Sequence, residues 1–214
     1  MAGESNVSAQ LVKQLREKTG APFGECKKAL EEARGDLAEA EVVLRKRGIA
    51  SALKKAGRLT AEGGVGNYIH AGGKIGVLVE LNCESDFVAR TADFRELLHD
   101  LAMHIAASDP RYIRREDVPG QVLEQERDIA RARALAGGKP PNVVERIVEG
   151  QLNKFYEETC LLEQHFIKDP NLSVAQLIAT KIAKVGENIV VRRFARFKVG
   201  EAAAQNSPGP PAVQ

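Results

Sequence analysis

A chain of 214 residues with 31 Lys and Arg against 29 Asp and Glu, net charge +2, can bury a full core in one or two domains and projects no strong field of either sign. Wholesale phosphate neutralisation is therefore not implied, and 5% aromatics with no Trp exclude a stacking platform for single-stranded nucleic acid. Cys26, Cys83 and Cys160 lie far apart without a Cys-x-x-Cys pair, which suggests neither a disulfide framework nor a zinc site, and no segment approaches the roughly 20 apolar residues of a membrane span.

The first block is helical. Leu11, Val12 and Leu15 share one face, Cys26, Ala29, Leu30 and Ala33 a second, and Leu37, Ala40 and Leu44 a third. Gly20 and Gly35 punctuate them, and Asp36 with Glu39 signals the start of the third. Three short helices make a module with a thin core, suited to binding rather than chemistry. Arg45, Lys46, Arg47, Lys54, Lys55 and Arg58 follow, interleaved with Ile49, Ala50, Ala52, Leu53 and Ala56. This stretch reads as the solvated face of a short connecting helix, or alternatively as a basic nucleic-acid-binding module; the near-neutral total favours the former. Residues 60–66, with Gly63, Gly64 and Gly66, read as a flexible joint.

A hairpin is expected over 65–70 and 74–83, turned tightly by Gly72-Gly73. Ile75, Val77, Val79, Leu81 and Cys83 alternate with Gly76, Leu78, Glu80 and Asn82, the pattern of a strand with one buried face. Further on, Phe94, Leu97, Leu98, Leu101, Ala102, Ile105 and Ala106 recur at helical spacing. Glu84 to Arg90 thus joins a strand to a helix, and its acid followed by Phe87 and Val88 has no obvious place in either core. Two readings compete: Asp86 caps a helix that Phe87 staples to the sheet, or the connection presents these residues to a partner.

Asp109-Pro110 breaks the chain, and 111–117 suits a short edge strand. A helix over 121–135, rich in Glu and Arg, reads as a solvated cover ended by Gly137 to Pro141. Asn142-x-x-Glu145 opens a long helix containing Ile147, Val148, Leu152, Phe155, Tyr156, Leu161 and Leu162. Ser173 with Gln176 is a capping box for a helix that ends at Gly186, and 188–199 reads as a last strand pairing with the hairpin. The expected fold class is α+β. A three-helix domain with its connecting helix spans 1–58, a core of an antiparallel three-stranded sheet packed with helices spans 59–200, and 201–214 form a disordered tail.

Enzyme motifs fail on spacing. Gly73-Lys74 has Tyr68 and Ile75 where a phosphate loop needs Gly and Ser or Thr, and Gly64-x-Gly66 leads into a strand where a dinucleotide site needs a helix. His99 and His104 are five apart with no Glu between them, so they form no paired helical zinc site. A boundary histidine such as His104 is more often a half-buried packing residue than a ligand. Cys83 as a thiol nucleophile is a further rival, but Cys26 and Cys83 lie on apolar faces, which suits structural thiols. No catalytic residue, metal or cofactor is expected.

The assembled pattern resembles the elongation factor Ts family over nearly the whole chain. The residues that carry the resemblance are Leu11 to Ala21, Cys26-Lys27-Lys28-Ala29-Leu30 and Gly35-Asp36; Val77 to Arg90; Ala102 to Ala107; and Val185-Gly186-Glu187-Asn188-Ile189. Ser85 stands where the family usually has Thr, and Phe23-Gly24 where many members have two methionines. The resemblance, to bacterial or organellar members, implies a ubiquitin-associated-like first domain and a guanine-nucleotide exchange factor for the GTPase elongation factor Tu, acting in the bacterial cytoplasm rather than an organellar matrix, with no membrane and no direct nucleic-acid partner. Ser85, Asp86, Phe87 and Val88 would dislocate the magnesium region of the GTPase, with Phe87 as an apolar wedge. Arg16 and Phe23 would anchor the first domain on another GTPase helix, and His104 would contact the phosphate-loop side. The core resembles the short form, one copy of a unit that longer members carry twice, which implies a homodimer.

Overall fold

The structure is a computed structural model that describes residues 7–201. Three helices open it: α1 (Ala9–Thr19), α2 (Phe23–Glu32) and α3 (Leu37–Lys55). Ser8 caps α1 by accepting from the Leu11 amide, and Gly20 ends it in the left-handed conformation, φ 67°. Asp36 caps α3 by accepting from the Glu39 amide at 2.9 Å. Val12, Leu15, Cys26, Ala29, Leu30, Ala40 and Val43 close a small core of their own.

The basic stretch after residue 45 is not a separate connecting helix. It is the second half of α3, which runs on for 19 residues because nothing in Arg45 to Lys55 breaks it. This half packs on the core helix α8 (Val174–Val185), where Gly48 lets the helices approach: a Cβ there would stand 3.7 Å from the Ala179 carbonyl oxygen.

The core sheet has the order β1-β2-β5, with β2 (Ile75–Cys83) central and antiparallel to both β1 (Glu62–Ile69) and β5 (Ile189–Lys198). Val77, Val79, Leu81 and Cys83 face inward, as the alternation requires, under helix α5 (Ala92–Ser108). A register shift between Glu80 and Leu81 leaves Arg192 unpaired and switches the parity of β5, so that Val191 and Phe194 both reach the interior.

The glycine-rich stretch expected as a flexible joint lies largely inside β1, whose glycines serve close approach. A Cβ at Gly63, φ 148°, would fall 2.2 Å from the Leu81 carbonyl oxygen, and one at Gly66 would fall 2.5 Å from Leu98 Cγ. The hairpin turn is also longer than two residues. The His70 amide donates to the Ile75 carbonyl at 2.9 Å, leaving Ala71 to Lys74 as the loop, with Gly72 and Gly73 both at positive φ.

In place of an edge strand, residues 111–117 hold a single bridge from Tyr112 to Cys160 and a short 3-10 turn at Arg115–Asp117. Helices α6 (Gly120–Ala136) and α7 (Pro141–Thr159) pair along Ala130, Ala134, Val144, Val148 and Leu152 into a hairpin with its own apolar seam. At its base Arg115 reaches Asn153 and Glu163 and lies over the Tyr156 ring at 4.7 Å. Helix α7 ends at Thr159, so Leu161 and Leu162 belong to the following turn rather than to the helix. A small hairpin unforeseen from sequence follows, β3 (His165–Phe166) and β4 (Asp169–Ser173), and Ser173 with Gln176 then forms the expected capping box of α8. The tail expected over 201–214 lies, apart from Glu201, outside the described residues.

Candidate functional site

Between β2 and α5 the chain makes a four-residue helix, α4 (Asp86–Ala89). Its cap is Ser85, whose Oγ accepts from the Val88 amide at 3.4 Å; Asp86 is the first helical residue, so the reading of Asp86 as cap is replaced. Thr91 closes the other end by donating to the Val88 carbonyl at 2.7 Å and then caps α5. Phe87 is not stapled to the sheet: it is 77% exposed. Asp86 is exposed beside it and pairs with Arg90 at 2.8 Å.

Val88, expected with its neighbours on the partner-facing side, is only 4% exposed and sits in the main core, because the short helix must turn one apolar side chain inward to stay on the sheet. It anchors the turn from which Asp86 and Phe87 project.

The turn is held from behind by two carboxylates. Glu187, just past α8, accepts from the Ser85 amide at 3.0 Å through Oε2 and from Ser85 Oγ at 2.6 Å through Oε1. In the opposite sense, Glu84 Oε1 accepts from the Asn188 amide at 2.6 Å. The buried Asn188 donates its side-chain amide to the carbonyls of Arg58, 3.2 Å, and Ala56, 3.5 Å, and Arg58 also reaches Glu84 at 3.4 Å. Three segments remote in sequence are thereby tied at the base of one exposed turn. The Val185 to Ile189 motif had marked Glu187 and Asn188 in the sequence, but with no chemical role attached.

His104 stands elsewhere. It has 0% exposure, so in this chain it offers a partner no surface, contrary to its expected place at the GTPase. Gln164 spends both side-chain N–H groups on the carbonyls of Ser108 and Glu158, so its oxygen must accept from His104 Nε2–H at 3.0 Å. His104 Nδ1 then accepts from the Ile167 amide at 3.4 Å, which ties α5 to the β3–β4 hairpin. Burial pushes its pKa down, opposed by the bond to Gln164.

On the first domain, Arg16 is exposed on α1 and Phe23, 53% exposed, opens α2. The basic stretch from Arg45 to Arg58 is partly neutralised: on α3 Arg47 pairs with Glu25 and Glu32, and in the connector after it Arg58 pairs with Glu84. Its nucleic-acid reading finds no support. Burial pushes the thiols of Cys26, Cys83 and Cys160 up, which removes the activation a cysteine nucleophile needs. Among the described residues no helix is long and apolar enough to cross a membrane.

A sequence model described as elongation factor Ts matches residues 48–201. The chain is 64% identical over 203 residues to elongation factor Ts of Solibacter usitatus, covering 95% of this chain and 96% of that protein. It is 66% identical over 196 residues to elongation factor Ts of Koribacter versatilis, covering 92% and 90%, and 57% identical over 196 residues to that of Geobacter sulfurreducens, covering 92% and 91%. The chain belongs to the elongation factor Ts family. The matched span runs from the second half of α3 to the end of β5, so it contains the exposed turn, the two carboxylates behind it and the connector they hold. The Solibacter and Koribacter proteins extend the likeness through most of the first domain as well.

Proposed function

We propose that the chain is a guanine-nucleotide exchange factor for the GTPase elongation factor Tu, working in the bacterial cytoplasm during translation elongation and acting by binding rather than by bond chemistry. The observation that carries the mechanism is Phe87: a large aromatic ring left in water on a turn whose next residue is fixed in the core. A rigid exposed aromatic is a poor use of apolar surface in a free protein and a good anchor at an interface.

A protein that speeds GDP loss must bind best to the GTPase conformer whose nucleotide and metal contacts are broken. By linkage it then weakens nucleotide binding by the same factor that nucleotide weakens its own binding. Magnesium demands near-octahedral geometry, so a small displacement of the GTPase segment that supports it is enough to lose the ion. Phe87 acts as the wedge and Asp86 as the charged acceptor beside it, while Arg16 and Phe23 dock the first domain. Val88 and Ser85 hold the wedge, and His104 supports α5 from within. The test is to mix the protein with elongation factor Tu loaded with fluorescent GDP and follow release; a rate no faster than spontaneous loss overturns the reading.

The exposed side of the sheet supports a homodimer. Val65, Ile69, Leu78 and Phe197 lie on the face opposite α5, and register places Gly76 between Ile69 and Phe197, so the face carries a shallow apolar patch interrupted by Asn67 and the Glu80–Arg193 ion pair. No element of the described residues covers it, and a second copy of the same face is a self-complementary occupant. Sedimentation at micromolar concentration should give about twice the 23.2 kDa of one chain, and Phe197→Asp should return the monomer mass. A wild-type monomer at that concentration sinks the dimer.

A further inference from the structure

Resting on the exchange reading above, we propose that Glu187 is a positioning residue for nucleotide exchange: it sets the direction in which Phe87 projects, through its paired hydrogen bonds to Ser85. The geometry is specific. One carboxylate takes both the amide and the hydroxyl of Ser85, and the same Ser85 Oγ takes the Val88 amide, so the proton of the hydroxyl must point at Glu187 for its lone pair to face the helix. Glu187 thereby orients the cap, the cap orients the first turn of α4, and that turn orients Phe87.

Four residues of helix cannot hold a direction by themselves, because helix nucleation is unfavourable and a single turn makes too few bonds to repay it. Val88 and the partly buried Ala89 fix where the turn sits and Thr91 closes its far end, but these contacts leave the first residues of the turn free to rotate. The Ser85–Glu187 pair removes that rotation. Glu187 is itself held in place by what flanks it: Gly186 ends α8 in the left-handed conformation, φ 84°, and Asn188 is buried with its amide committed to Glu84 and its side chain to the α3 connector. The carboxylate is therefore presented from a rigid support to a turn that has little rigidity of its own.

The same construction explains how the wedge and the first domain act on one partner. The connector after α3 is gripped by Asn188, the residue next to Glu187, through the Ala56 and Arg58 carbonyls, and its own Arg58 side chain reaches Glu84, so the position of the helices carrying Arg16 and Phe23 and the direction of Phe87 refer to one local frame.

The experiment measures catalysed release of fluorescent GDP from elongation factor Tu over a range of exchange-factor concentrations, with the thermal midpoint of each variant recorded alongside. Glu187→Gln should lower the maximal rate roughly ten-fold, the loss of about one charge-assisted bond, with a smaller change in the half-saturating concentration because the first domain still docks. Ser85→Ala should give a loss of similar size, and the two together should be far from additive. In a Phe87→Ala background, Glu187→Gln should change the rate less than about two-fold, since there is no ring left to aim. An equal effect of Glu187→Gln in both backgrounds, or no effect where Phe87→Ala alone slows release, overturns the positioning role while leaving the wedge standing. If Phe87→Ala alone leaves release at the wild-type rate, the wedge and its positioning residue fall together. Should Glu187→Gln lower the thermal midpoint enough to deplete folded protein, Ser85→Ala against Phe87→Ala supplies the same comparison.

Discussion

The turn at Ser85 to Arg90 and the ring of His104 lie at the two ends of one stretch of chain, joined by α5, and their environments are opposite. The turn sends an acid and an aromatic into water and is braced from behind by Glu187 and Val88. His104 lies wholly inside, with both ring nitrogens engaged. A binding surface needs rigid groups without internal partners, and a buried polar group needs all of its partners internal. Both positions carry the family's motif, so kinship by itself does not separate the two roles; the hydrogen-bond inventory does.

The largest effect expected from this contrast is at Phe87. Phe87→Ala should slow catalysed GDP release by tens- to hundreds-fold, the equivalent of roughly 2–4 kcal/mol for a buried interface anchor, with little change in denaturant midpoint because the ring is exposed in the free protein. A core staple would show the reverse: a stability loss of about 3–5 kcal/mol and an exchange effect that follows the folded fraction. Stopped-flow release and urea titration on one preparation decide between them.

His104→Ala should break the comparison from the other side. Removing the ring leaves Gln164 and the Ile167 amide without partners in a closed space, so the expected cost is roughly 2–4 kcal/mol of stability. Exchange by the remaining folded protein should be affected far less than by Phe87→Ala. A His104→Ala protein of wild-type stability whose exchange fails would restore a direct role for the residue.

A smaller effect is the pH dependence that burial of His104 imposes. Its folded pKa lies below the ordinary value of 6.5, so above that pH neither state is protonated there and the residue contributes no slope. As pH falls below it, the unfolded chain takes up a proton that the folded one resists, and stability declines by up to about 1.4 kcal/mol per pH unit until the folded pKa is reached. Asp93 and Glu96 act in a lower window: bonds to Lys184 and Lys181 hold Asp93, and a bond to Lys181 holds Glu96, below the usual carboxylate range, so their contribution is lost only at more acid pH. Urea midpoints between pH 7 and pH 5 should therefore fall for the wild type and stay flatter for His104→Gln. Equal slopes would show that the ring does not resist protonation.

Asp86 should give a small change in stability and a modest one in exchange. Its ion pair with Arg90 is exposed, so Asp86→Ala should alter folding by no more than about 0.5 kcal/mol, whereas a true cap would cost about 1 kcal/mol. Exchange should still slow, by less than with Phe87→Ala. A thermal midpoint lowered as far as by Ser85→Ala would show that both residues cap the turn.

Much of this molecule is written locally. The alternation from Ile75 to Cys83 determines which face of β2 is buried, the Ser173–Gln176 box starts α8, and the faces of Leu11 to Leu44 specify three helices, because each signal involves residues within a turn or a pleat of one another. That Phe87 occupies a connection rather than a core was legible for the same reason. Tertiary structure alone decided which way the connection faces and what holds it. Ser85 and Glu187 are 102 residues apart, and no periodicity in either segment announces that they meet. The glycines of β1 looked like a hinge because a glycine needed for close packing and one needed for freedom are the same letter; only Leu98 and the Leu81 carbonyl, brought up by the fold, tell them apart. His104 looked like a boundary residue on a helical wheel, and its complete burial came from Gln164 and the β3–β4 hairpin, which reach it from 60 and more residues away. Hydrophobic period is a property of neighbours in sequence, whereas the satisfaction of a polar group depends on which distant segment arrives beside it.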